Sequence, residues 1–435
     1  MIGWRGRAVT ASDRQPAVIG DLLRYGLALA GPIGSAGSQF LLSLVLLRHM
    51  DAASFGRFSF LLIVSQLVAS IWSALFCAPL PLVLSAPHAV YAPDPARTML
   101  SASSLGGLLS LVPFVLLARG VGEGWSAAAW FAGFAAVALL RWFARALAYA
   151  RGRQAQVSIS DMVYSVVLLV GTVLLVVRGG RDSDSAYAVF LLATVAALLA
   201  FGGRFLAEQV TAFGAAQLGG YRAMWRAHGR WSLIGVVTSE ATANAHAYLV
   251  TGFLGAGAFA PLAATAILIR PVTVVSNALT EFERSRIARA IGVGDLAQAA
   301  RAVRLFRAIL LLAWFGTGAA IVLLLWWNPR LIFPAEYHAH TLVIGAALWM
   351  AAALMRLLRT PEGTLLQAGG AFLPLAMTSL WSAGFSIVAV AVLLFTAPPL
   401  WSILGIALGE AVCAVLIFRA VRLWYARTSA LSSPA

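Results

Sequence analysis

Glu240 and Arg270 are the residues whose type and position could do chemistry. Each lies near the middle of a long apolar run, and Arg270 directly precedes Pro271. A charge at the centre of a membrane-spanning helix costs about 2.5–3.5 kcal/mol on insertion scales, so it faces a partner or a cavity. Glu240, Asn244, Tyr248 and Thr251 recur at helical spacing and fall within a wedge of ~80°, a polar stripe. Such a stripe either hydrogen-bonds two helices together or holds a proton or a sodium ion. Arg270, Thr273, Asn277 and Glu281 share another face. Arg270 there pairs with Glu240 or meets an anionic substrate, since a guanidinium fork matches phosphate oxygens. Arg24 opens the first apolar run and shares a face with Gly31, Ser35, Ser38 and Gln39, around Pro32. Small residues at this spacing point to close helix packing, or to a bend that lets the helix move. Arg141 with Arg145, and Arg356 with Arg359, lie towards one end of their runs, where snorkelling to headgroups is expected. Asp161 and Glu410 are further candidates for an ion site.

Hydrolytic or transfer chemistry has little to work with. Of six histidines only His246 lies deep, and His338 and His340, two apart, face opposite sides of a helix. No metal site and no cofactor is expected. Cys77 and Cys413 both sit in apolar stretches and make no disulfide framework. His49 and Asp51 share a loop of the kind in which many-span glycosyltransferases keep acidic residues, but the loop is short.

The elements that must position these residues follow from composition. The 435 residues are 61% hydrophobic and only 11% charged, with a mean hydropathy of +0.87. A soluble domain carries about 25% charged residues, so the bulk of this chain is not solvated by water. Charge-poor windows predict twelve spans, at 25–47, 58–84, 98–118, 126–147, 161–177, 186–205, 231–254, 258–280, 305–327, 340–358, 372–396 and 400–419. The first is expected to be an uncleaved span rather than a signal peptide. Ala397, Pro398 and Pro399 divide the last two. The net charge of +15 comes entirely from arginine, with no lysine. Nucleic-acid binding is disfavoured because the arginines form short clusters between apolar runs rather than one soluble face. With the N-terminus inside, 24 arginines fall in inside segments, six fall in outside loops, and Arg270 falls within a span. The positive-inside rule then puts both termini in the cytoplasm. The basic segment 281–304 suits a helix lying on the anionic leaflet.

A weak internal repeat joins Arg24-Tyr25 to Arg230-Trp231, and Ala53-Ser54-Phe55 to Gly257-Ala258-Phe259. Six spans per half enter the membrane in the same sense, as in transporters whose halves are related by an axis along the membrane normal. The expected fold is an all-α integral membrane protein of two six-helix bundles that rock between access states. The expected divisions are a tail at 1–21, bundles at 22–206 and 231–419, a linker at 207–230 and a tail at 420–435.

Three stretches carry a resemblance. Leu46 to Phe58, with Asp51, Phe55 and Gly56, resembles the first outer loop of polysaccharide-synthesis flippases. Gly229-Arg230-Trp231 through Leu254-Gly255-Ala256, and Leu366-Gln367-Ala368-Gly369-Gly370, are similar in kind. That family belongs to the multidrug/oligosaccharidyl-lipid/polysaccharide exporter superfamily. The resemblance implies a V-shaped pair of bundles in a bacterial inner membrane. It also implies translocation of an undecaprenyl-diphosphate-linked oligosaccharide for surface or exopolysaccharide assembly, alongside a polymerase or export machinery and the membrane lipids. Cationic residues of the cavity would meet the pyrophosphate. Arg24, Arg270, Arg356, Arg141 and Arg145 are the candidates, with Glu240, Asn244, Asp161 and Glu410 as ion-coupling candidates. A small-molecule exporter of the same fold and a many-span glycosyltransferase or polymerase remain alternatives.

Overall fold

A computed structural model describes residues 14–77, 80, 94–180, 182–214, 218–226 and 230–432; some helical side chains, residues 14–30 above all, fall outside that set. Among the described residues the regular structure is helical. The first half comprises α1 (Arg14–His49), α2 (Ala52–Trp72, continued by a π turn at Ser73–Cys77), α3 (Pro95–Leu109) and α4 (Leu111–Gly120). It continues with α5 (Trp125–Ala150), α6 (Gln154–Arg178), α7 (Ser183–Leu199), α8 (Gly203–Gly214) and α9 (Leu218–Met224). The second half comprises α10 (Arg230–Leu254), α11 (Ala256–Ala266), α12 (Arg270–Gly292), α13 (Leu296–Trp327), α14 (Ala339–Ala368), α15 (Phe372–Thr396) and α16 (Ser402–Ser432).

Among the described residues, nine helical stretches are long and apolar enough to cross a membrane; α7 with α8, bent by 100° between them, makes a tenth. The 36-residue α1 and the 25-residue α10, expected as the first and seventh spans, meet the length requirement alone. α10 is the more polar because it carries Glu240, Asn244 and His246. Aspartates start several helices. Asp51, Asp94, Asp182 and Asp295 each accept a backbone N–H three residues on, at 2.7–3.0 Å, the usual way to satisfy a helix's first donors. Asp51 is therefore the N-cap of α2.

One expectation is corrected. Segment 281–304 is not a separate helix lying on a leaflet. It is the end of α12 and the start of α13, joined by a tight turn. Nothing stops α12 before Gly292, and Gly294 then takes φ +77°, a conformation glycine adopts without strain. Across the end of its bundle lies α8 instead. It docks on α3, where Ser101 Oγ donates to the Ala212 carbonyl at 2.9 Å.

Two bundles result. In one, α1 packs on α6, α5 and α6 on α7, and α4 on α5; in the other, α16 packs on α14 and α15, and α13 on α12 and α14. They meet chiefly where α2 lies against α10 and α11, with a smaller contact of α1 with α12. The repeated motif sits at this seam. A Cβ on Gly257 would lie 3.9 Å from the Cβ of Ala53, its counterpart in the repeat. Equivalent residues touch each other only near an axis relating the halves. Phe55 and Phe259, the next matched pair, are both fully buried.

Candidate functional site

Two ion clusters lie inside the helical bundles. In the first, Asp161 of α6 is 1% exposed and accepts from Arg141 at 2.6 Å and from Arg145 at 2.9 Å, both on α5. The Nη2 atoms make those bonds, while Arg141 Nε donates to Ser160 Oγ at 3.2 Å. The Arg141 guanidinium also stacks 4.5 Å from the Tyr164 ring centre, a favourable cation–π position. Tyr164 in turn accepts from Gln39 of α1 at 2.9 Å. α1 approaches closely because its face is small. A Cβ on Gly31 would fall 2.9 Å from the Asp161 side chain, and one on Gly34 would fall 3.1 Å from Ser165 Oγ. The small residues of the first span are thus contact surface.

In the second cluster, Glu410 of α16 is fully buried. Its Oε1 accepts from Arg356 Nε at 2.9 Å and its Oε2 from Arg359 Nε, both on α14. The snorkelling expected of all four arginines is corrected by these pairs: a buried carboxylate offers each a partner closer than the headgroups. Burying such charges is costly unless they are paired and hydrogen-bonded. Each cluster has two guanidinium groups for one carboxylate, so each is cationic if all are ionised. The arginine pairs occupy the fourth span of each half.

Arg356 also lines a cavity between α12 and α14, with Thr273, Ser276, Asn277 and Trp349. Arg270 stands one turn away from Thr273 on α12. Its side chain makes no ion pair and no hydrogen bond to any described residue. Of the two readings of Arg270, pairing with Glu240 is not formed. Glu240 instead accepts from Ser70 Oγ of α2 and from Asn244 Nδ2, both at 2.8 Å. Ser70, on the facing helix, satisfies the carboxylate first. The stripe on α10 therefore does bridge the two bundles, while Tyr248 packs edge-on to Phe60 of α2. His246, on the opposite face, is buried against Phe259 and Trp349. Arg24 lies in the part of α1 whose side chains are outside the described residues.

The sequence left Ser70, Tyr164 and Trp349 unmarked, because an isolated hydroxyl or aromatic in an apolar span has no pattern. Glu362 was also missed. It is buried and pairs with Arg307 of α13, and a carboxylate between Arg359 and a charge-free run was the available signal.

The far end of the seam is closed. A Cβ on Gly56 would lie 2.0 Å from the Ala256 carbonyl oxygen. Arg48 Nη1 donates to the Leu331 carbonyl at 3.3 Å, joining α1 to the loop between α13 and α14. Beside it, a second pocket at the ends of the first bundle is lined by His49, Asp51, Glu123, Asp182 and Asp184.

Neither a protein-family model nor a curated protein matches the chain. Solved structures do. An inward-facing multidrug resistance MATE family transporter of the MOP superfamily superposes with a TM-score of 0.68 at 13% identity, over 94% of this chain and 100% of that one. An outward-facing MATE family transporter gives 0.62 at 14% identity, over 94% and 96%. A MOP superfamily transporter from Pyrococcus furiosus, described as having a binding pocket of reverse polarity, gives 0.61 at 15% identity, over 94% and 96%. At these identities the likeness establishes the fold: this chain has the two-bundle architecture of MATE transporters.

Proposed function

We propose that the chain is an alternating-access transporter that flips a polyprenyl-diphosphate-linked oligosaccharide from the inner to the outer leaflet of a bacterial inner membrane, with both termini cytoplasmic. The observation that carries this reading is Arg270, an intramembrane cation whose side chain has no partner among the described residues, one turn from a cavity to which Thr273, Ser276, Asn277 and Arg356 bring polar groups among apolar walls. An anionic diphosphate is the ligand such a site attracts, because guanidinium forks and hydroxyl donors match its oxygens. The lipid tail would remain in the bilayer while the halves rock about the seam. Closure at the Asp51 end, and the better overlap with an inward-facing relative than with an outward-facing one, fit a state open to the cytoplasm.

Arg270→Ala is expected to abolish complementation of polysaccharide export while the protein still reaches the membrane. The lipid-linked intermediate should then accumulate in the inner leaflet, where an outside-only glycosidase cannot reach it. Normal surface polysaccharide would overturn the site assignment, and accumulation in the outer leaflet would overturn flipping.

A second reading, export of a small organic cation, is favoured by Glu240, a carboxylate with no cationic partner among the described residues. Glu240→Gln separates the two. Loss of drug resistance with polysaccharide export intact would favour the exporter. Weakened dependence of flipping on the ion gradient would make Glu240 the coupling site of the flippase.

A further inference from the structure

We infer that Glu410 is a positioning residue that turns the free edge of Arg356 towards the anion-binding cavity, with Arg359 as the second arginine on the same carboxylate; this rests on the anionic-substrate reading above. The two ion clusters use the same residue types differently. At Asp161 the arginines spend their outer Nη2 atoms on the carboxylate, and Arg141 spends its Nε on Ser160. The Tyr164 ring covers one face of the Arg141 guanidinium. The side chains of Arg141 and Arg145 are 10% and 17% exposed. That cluster is closed on itself.

At Glu410 both arginines bond through Nε. The described residues offer their Nη groups no acceptor. The side chains of Arg356 and Arg359 are 38% and 27% exposed, and Arg356 lines the cavity with Thr273, Ser276 and Asn277. A guanidinium held at Nε has lost the rotational freedom of its long side chain, while two parallel N–H donors stay available on its outer edge. That is the fork that takes two oxygens of a phosphoryl group. Glu410 is itself fully buried, so it touches the arginines and not the ligand. Its sequence neighbours give no other anchor: Arg356 and Arg359 lie on successive turns of α14, and both would otherwise be free to reorient.

The sign of the effect tests the idea. Glu410 is negative, so electrostatics alone says that removing its charge strengthens binding of an anion nearby. Positioning says the reverse. The experiment is equilibrium binding of inorganic pyrophosphate to the full chain in phosphatidylcholine nanodiscs, for the wild type, Glu410→Gln and Glu410→Asp. Glu410→Gln is expected to bind about tenfold more weakly, the loss of one charge-assisted hydrogen bond to the ligand. Glu410→Asp keeps the charge but is one methylene too short to reach both Nε atoms, and should bind with intermediate affinity. If Glu410→Gln does not fold, Glu410→Asp alone decides. Affinity in the folded variant equal to or tighter than wild type would overturn the positioning role and leave the anion site standing. No saturable binding by the wild type would overturn the anion reading itself.

Discussion

Gly56→Ala adds one methyl group at the tightest point between the bundles. The new Cβ would sit 2.0 Å from the Ala256 carbonyl oxygen and 2.8 Å from its carbon. A carbon approaches a carbonyl oxygen to about 3.3 Å at closest, so α2 and α11 must part by roughly 1.3 Å. The obstacle is backbone, which cannot rotate aside as a side chain can. Overpacking of this kind costs about 1–3 kcal/mol, which lowers the closed population about 5- to 150-fold relative to an open state that lacks the clash. A cross-link reads that population directly. Cysteines at Ala53 and Gly257 would bring two Cβ atoms to about 3.9 Å, within the range a disulfide spans. With Cys77 and Cys413 replaced, the double-cysteine protein should oxidise readily in membranes. Adding Gly56→Ala should slow oxidation at least fivefold. An unchanged rate, in protein of unchanged abundance, would refute the claim that this contact seals the far end.

Asp161→Asn should lower stability by about 3–5 kcal/mol, because Arg141 and Arg145 would share no buried charge; an unchanged unfolding midpoint in detergent would contradict it. Glu123, in the turn before α5, is buried at 4% exposure, and desolvation raises its carboxyl above the usual value of 4.5, against the pull of Arg57 and Ser183. A raised carboxyl favours the folded state below the unfolded value, and that gain is lost as pH rises through the folded one. Glu123→Gln should therefore remove a loss of stability seen as pH rises above 4.5, and an identical pH–stability profile would count against it. Asp51 and Asp182 have the opposite sign: their cap bonds to Ser54 and Ser185 hold them below 3.8, so what they contribute fades as pH falls through that depressed value.

Spans and breaks were legible because they are properties of runs. A charge-free window or a proline pair at 398–399 acts locally on its own backbone, and one sequence suffices to read it, whereas the Gly-Val-Gly turn at 292–294 reads through as helix. Partners are different. Arg356 and Arg359 read as snorkelling cations because the acid that holds them, Glu410, lies two helices further on, and no periodicity links the two. Glu240 and Arg270 were each legible as a charge at depth, yet their pairing was not. The competitor for Glu240 was Ser70, a hydroxyl 170 residues earlier. What the sequence offers in such a case is an inventory of charges that need partners, and topology decides which are met. That is why Arg270 carries weight. Asp161 and Glu410 are consumed by arginines and Glu240 by neutral donors, which leaves Arg270 as a guanidinium within a span whose charge no described side chain answers. A cation kept in that condition inside a bundle is destabilising on its own, and the compensation it lacks within the fold is what an anionic ligand would supply.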